Sequence, residues 1–123
     1  VVEILTAAQK DTTMEGLWTA EFGTTAGMFG GGVAVFRNGR VMGGDGTYYY
    51  VGEYNLHGNT FEAKLRISPF IPGAQSVFRT AGRDLTLELT GSLVGEGQAT
   101  AQGSTAEIPG LKFGVKLTKR SVG

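Results

Sequence analysis

Apolar and polar residues alternate along most of this chain with a period of two. Phe61, Ala63, Leu65 and Ile67 are interleaved with Glu62, Lys64, Arg66 and Ser68. Leu85, Leu87 and Leu89 alternate with Thr86, Glu88 and Thr90, and Phe113, Val115 and Leu117 follow the same rule against Lys112, Lys116 and Thr118. Successive side chains of a strand point to opposite faces, so each run predicts a strand with one dry and one wet face. Such alternation favours an antiparallel sheet solvated on one side over a buried parallel one.

Turn signals separate these runs. Asn38-Gly39, between Val33-Ala34-Val35-Phe36 and Arg40-Val41-Met42, predicts a tight hairpin, because a type I′ turn needs positive φ at both central residues. His57-Gly58-Asn59 predicts a turn before Phe61, and Gly91 to Gly95 another. Ser68-Pro69-Phe70-Ile71-Pro72-Gly73 reads as a longer break, since proline cannot serve a central strand, and Ile108-Pro109-Gly110 precedes the last strand. The count reaches about eight strands with almost no helix, which predicts an all-β domain, a closed meander or a sandwich. Closure has the advantage of removing exposed edges. Residues 14–123 form the predicted β domain, and residues 1–13 a short N-terminal arm. In that arm Val1, Ile4, Leu5 and Ala8 can share one helical face or belong to an unordered lead.

Composition narrows the function classes. At 123 residues the chain has the length of one domain. Eleven basic and eleven acidic residues cancel, so no long-range field draws it to nucleic acid or an anionic membrane. The absence of cysteine excludes thiol catalysis and disulfides and suits a reducing cytoplasm. No apolar run approaches the roughly 20 residues of a membrane-spanning helix, and the first 13 residues lack the pattern of a signal peptide.

Candidate chemistry is sparse. The lone His57 has no second His or Cys to complete a zinc site. Asp45, Glu53 and Glu62 are too scattered for a hard-cation site, and no Gly-x-Ser-x-Gly elbow occurs. No catalytic, metal or cofactor-binding residue is expected. Gly43-Gly44-Asp45-Gly46 reads as a bend at a barrel corner, with Asp45 capping a turn, or as a backbone nest for an anion. Ala99 and Ala101 give one strand a small-residue face. If that face looks inward, together with Trp18, Phe22, Phe61 and Leu87, the barrel holds an apolar ligand cavity; otherwise the alanines pack under a neighbouring element. Tyr48, Tyr50 and Tyr54 share a face and are candidates for a dimer interface, while an inward tyrosine hydroxyl would instead orient a ligand.

Gly16-Leu17-Trp18 resembles the Gly-x-Trp opening of the calycins, the lipocalin, fatty-acid-binding and avidin-like barrels. In lipocalins a basic residue of the last strand packs across that Trp, which the resemblance assigns to Lys119 or Arg120. A longer series, Glu15-Gly16-Leu17-Trp18, Phe29-Gly30-Gly31-Gly32-Val33, Arg37-Asn38-Gly39, Gly43-Gly44-Asp45 and Tyr48-Tyr49-Tyr50-Val51-Gly52, is similar to the GrlR family of negative regulators of type III secretion. The likeness covers the first half of the chain from Glu15. It implies a single antiparallel up-and-down calycin-like β-barrel, a homodimer, an apolar interior and a non-enzymatic role as a regulator acting through a protein partner. One departure limits it: the acidic surface run that grips that family's partner would fall at Leu56-His57-Gly58-Asn59, none of which is acidic. The alternative function is a carrier or sensor of an apolar small molecule.

Overall fold

The computed structural model describes residues 13–27, 29–71 and 84–122. Eight strands follow in chain order: β1 (Gly16–Thr24), β2 (Phe29–Arg37), β3 (Arg40–Gly44), β4 (Tyr48–His57), β5 (Thr60–Pro69), β6 (Leu85–Gly95), β7 (Gln98–Thr105) and β8 (Lys112–Ser121). Each pairs antiparallel with its neighbours in sequence, and β1 also pairs with β8, which closes an up-and-down barrel. No helix occurs among the described residues, and none there is long and apolar enough to cross a membrane. The expected arm falls almost wholly on residues 1–12, outside the described residues.

The period of two decides what lies inside. Phe61, Ala63, Leu65 and Ile67 of β5 are buried, as are Leu85, Leu87 and Leu89 of β6, while their polar neighbours face outward. The Asn38-Gly39 hairpin forms as expected, with φ of 52° and 78°, the left-handed values its turn requires.

Three turn expectations shift. His57 ends β4, and the turn falls on Gly58 and Asn59. Strand β5 continues through Ser68 to Pro69, whose Cα partner is Tyr48, so proline ends the strand instead of preceding a loop; Pro72 and Gly73 lie outside the described residues. Gly91 is not a turn residue either. It sits inside β6, paired with Ala101, and the chain reverses at Glu96 and Gly97. A Cβ at Gly91 would lie 2.3 Å from the Thr100 carbonyl oxygen and 2.7 Å from Phe61 Cζ, so this glycine is there for close approach.

The strand connections divide between the two ends of the barrel. One end carries the start of β1 and the β2–β3, β4–β5 and β6–β7 turns; the other carries the β1–β2, β3–β4, β5–β6 and β7–β8 connections.

Candidate functional site

The first end is plugged. Trp18, 1% exposed, donates from its indole Nε1 to the carbonyl oxygen of Met14 at 2.8 Å, which satisfies the buried N–H and pulls the lead segment across the barrel. Lys119 Nζ lies 5.2 Å from the Trp18 ring centroid and donates to the Thr13 carbonyl oxygen at 3.1 Å. The basic residue over the Trp is therefore Lys119; Arg120 instead donates from Nε to Thr19 Oγ1 at 2.9 Å. Phe36 meets Trp18 edge-on, and Tyr54 meets Phe36 edge-on in turn.

Glu15 locks this end to the adjacent hairpin. Its carboxylate accepts the Asn38 backbone N–H at 3.0 Å and the Tyr54 hydroxyl at 2.6 Å. Burial, followed by this contact with Glu15, pushes the Tyr54 phenol well above the usual tyrosine range.

Beyond the plug the described residues leave the barrel hollow. A cavity of about 300 Å³ is walled by Phe22, Phe61, Leu65, Leu87, Phe113 and Leu117, among others, and extends to Asp45, Gly46 and Thr47 at the opposite end. Small residues leave this volume unfilled. Gly30 and Gly31 lie in the wall contributed by β2, and Ala20, Ala34 and Ala63 contribute only methyl groups. The volume is at the small end of ligand pockets, which run from roughly 300 to 1,000 Å³.

The β3–β4 connection supplies one polar corner. Asp45 Oδ1 accepts the backbone N–H groups of Thr47 at 2.9 Å and Tyr48 at 2.8 Å, the side-chain cap expected for this bend. Asp45 Oδ2 accepts the hydroxyl of Tyr50 at 2.5 Å. Burial pushes the Asp45 carboxyl up, but the bonds from Tyr50, Thr47 and Tyr48 outweigh it and hold it below the usual range. The same corner, through burial and then Asp45, drives the Tyr50 phenol far above its ordinary value. At neutral pH the pair is thus a carboxylate and a neutral phenol. Gly32 makes it fit: a Cβ there would lie 2.9 Å from the Tyr50 hydroxyl and 2.7 Å from the Gly44 carbonyl oxygen.

Phe22, Phe61 and Leu87 line the cavity. Trp18, expected in the cavity wall, is not among the lining residues; its ring meets Phe36, which is. Ala99 and Ala101 are buried without lining it, a correction to the small-walled cavity. The Phe61 ring occupies the space above Gly91, next to Ala101, so the small residues make room for a ring. Tyr48 and Tyr50 also depart from the interface expectation: they are 2% and 9% exposed, point inward and line the cavity, and Tyr54 turns inward to Glu15. Sequence reasoning missed the link between Asp45 and Tyr50, for which spacing along the chain offers no signal.

The outer face of the first four strands carries its own pattern. Leu17, Val35, Met42 and Val51 are successive Cα partners in a row across β1 to β4, with Val33 and Tyr49 beside it. Five of these six are exposed hydrophobics; Val35 is half-buried. Elsewhere the surface sets His57 beside Glu62 at 3.3 Å and pairs Arg66 with Asp84 at 3.6 Å. No group of three metal-ligating side chains occurs among the described residues.

Fold and cavity together define an antiparallel up-and-down β-barrel with a ligand-sized interior. No protein-family model matches the chain, and no curated protein matches it.

Proposed function

We propose that this chain is a non-enzymatic binding protein that takes an apolar small molecule into the barrel. The observation that carries the reading is the cavity of about 300 Å³, lined mostly by aliphatic and aromatic side chains and left unfilled by the described residues. A filled barrel would place a large residue where β2 has Gly30. Tight packing is the rule in protein interiors, and an unfilled apolar volume forfeits dispersion contacts. Apolar walls with a few convergent polar groups are the usual form of a small-molecule site.

Exposed phenylalanines support access from the unplugged end. Phe29 and Phe70 are 82% and 54% exposed at the ends of β2 and β5, where the cavity extends.

A second reading accords with the first: regulation through protein contact as a homodimer, in the manner of the GrlR-like proteins, in the cytoplasm. The favouring observation is the apolar row of Leu17, Val35, Met42 and Val51 on the outside of the barrel. Contiguous exposed apolar surface marks interaction sites more often than solvated ones. Ligand occupancy would influence such contacts only through unequal affinity for two states.

Native mass spectrometry of freshly purified protein tests both readings. A retained small molecule, or uptake of added alkyl compounds at one per chain, supports the cavity reading; a folded chain that takes up none across a broad panel overturns it. A dimer that Val51→Lys converts to monomer supports the second reading. Monomer alone at micromolar concentration removes it.

A further inference from the structure

The polar corner of the cavity bears on the ligand proposed for the barrel. Resting on that reading, we infer that the barrel selects an amphiphile whose head group donates hydrogen bonds, an alcohol or an amine on a medium-length apolar chain, and discriminates against carboxylates.

The hydrogens around the Asp45–Tyr50 pair are already committed. The Tyr50 hydroxyl donates to Asp45 Oδ2, and the Thr47 hydroxyl donates to Asp45 Oδ1 at 3.3 Å. The backbone N–H groups of Thr47 and Tyr48 are given to the same Oδ1, and that of Asp45 to the Tyr48 carbonyl oxygen at 2.9 Å. These five donors are engaged internally. An ionised carboxylate offers only acceptor sites, about two per oxygen, and a phenol that donates its hydrogen keeps its oxygen as an acceptor. The unused capacity of the pair is therefore the second lone pair of Asp45 Oδ2 and the lone pairs of Tyr50 Oη. Both belong to residues that line the cavity. The pair completes its bonding with a ligand that brings hydrogens.

Charge gives the same answer. No Lys, Arg or His lines the cavity among the described residues, and a fatty-acid head group seated at the corner would lie beside the Asp45 carboxylate. An unpaired anion leaving water is strongly disfavoured, and a like charge nearby adds to the cost. An ammonium head gains an opposite charge there, and a hydroxyl head gains an acceptor. The remaining wall is apolar, and a volume of about 300 Å³ holds roughly ten groups of the size of a water or methylene. The fitting probes are thus alkyl chains of roughly ten carbons that differ only at the head.

The test compares decylamine, 1-decanol and decanoate by isothermal titration calorimetry on the intact chain at pH 7, with native mass spectrometry as a second readout. Decylamine and 1-decanol should bind at least about tenfold more tightly than decanoate, which lacks a donor and carries the wrong charge. Asp45→Asn, which keeps an oxygen for the Thr47 and Tyr48 N–H groups, should shrink that gap to within about threefold. Decanoate binding as tightly as the other two overturns the inference and leaves the ligand barrel standing. If a folded chain binds none of the three by either method, the ligand barrel itself fails and the inference with it. The wild-type ranking decides the matter even if Asp45→Asn does not fold.

Discussion

The two ends of the barrel are built from opposite materials. At the plugged end Trp18, Phe36 and Tyr54 meet edge-on under Lys119, the Met14 carbonyl accepts the Trp18 indole N–H, and the Glu15 carboxylate ties the lead segment to the Asn38-Gly39 hairpin and to Tyr54. At the other end β2 contributes Gly30 and Gly31, and a carboxylate–phenol pair stands at the edge of an open volume. The contrast assigns stability to one end and binding to the other. Residues that interlock remove freedom from the chain, whereas residues that withhold side chains leave room at a cost in packing. Substitutions at the plug should thus report on folding, and substitutions at the corner on ligand affinity.

Trp18→Ala should break the plugged end most severely. Deletion of a large buried aromatic costs roughly 3–5 kcal/mol, and here it also removes the ring beneath Lys119 and releases the Met14 carbonyl. The urea midpoint should fall accordingly; an unchanged midpoint would show that Trp18 does not anchor the fold. Gly32→Ala is the matching challenge to the other end. Its methyl group would approach the Gly44 carbonyl oxygen at 2.7 Å and the Tyr50 hydroxyl at 2.9 Å, and overpacking of this kind costs about 1–3 kcal/mol. Affinity for 1-decanol should drop along with stability, because Tyr50 must move. Retained affinity would separate the corner from the ligand.

These contrasts were only partly readable from the chain. The eight strands and the closed barrel follow from alternation and turn chemistry, and Trp18 was marked by the Gly-x-Trp opening. The face of the tyrosine strand was not. Parity requires that Tyr48, Tyr50 and Tyr54 share a side, but the opposite side offers Tyr49 and Val51, just as apolar, so hydrophobicity cannot choose between them. Small residues raise a related ambiguity. Gly91, Ala99 and Ala101 read as a turn and a cavity wall, whereas Gly91 and Ala101 accommodate the Phe61 ring; Gly30 and Gly31, on a different strand, lie in the cavity wall. A glycine that permits a turn and one that permits close approach are identical until the neighbour is known.

Tyr54→Phe refines the plugged end at smaller scale. It removes the hydroxyl that Glu15 accepts at 2.6 Å and leaves the ring on Phe36. A hydrogen bond to a charged group contributes about 1.5–3 kcal/mol, and partial exposure of this pair places the effect at or below the lower bound. Chemical denaturation should reveal the loss with no change in the affinity for 1-decanol. A change in affinity would mean that the two ends are coupled.

The smallest effect expected is the acid response of the cavity corner. Hydrogen bonds hold the folded Asp45 carboxyl below its usual value, so the folded state binds that proton less readily than the unfolded chain does. Its stabilising contribution is complete above the unfolded value near 3.8 and is lost as pH falls through the lower folded value. Because Asp45 is only partly buried, solvent screening keeps the loss below about 1 kcal/mol. Thermal unfolding between about pH 5 and 2 should therefore fall more steeply for wild type than for Asp45→Asn, whose amide does not titrate there. Tyr50 works in the opposite direction and far from this window: its phenol is raised, so its contribution is intact through neutrality and declines only as pH climbs beyond the ordinary tyrosine value. Parallel acid profiles for the two proteins would mean that the Asp45–Tyr50 contact contributes nothing to the folded state, and would remove the fixed acceptor on which selection of a donor head depends.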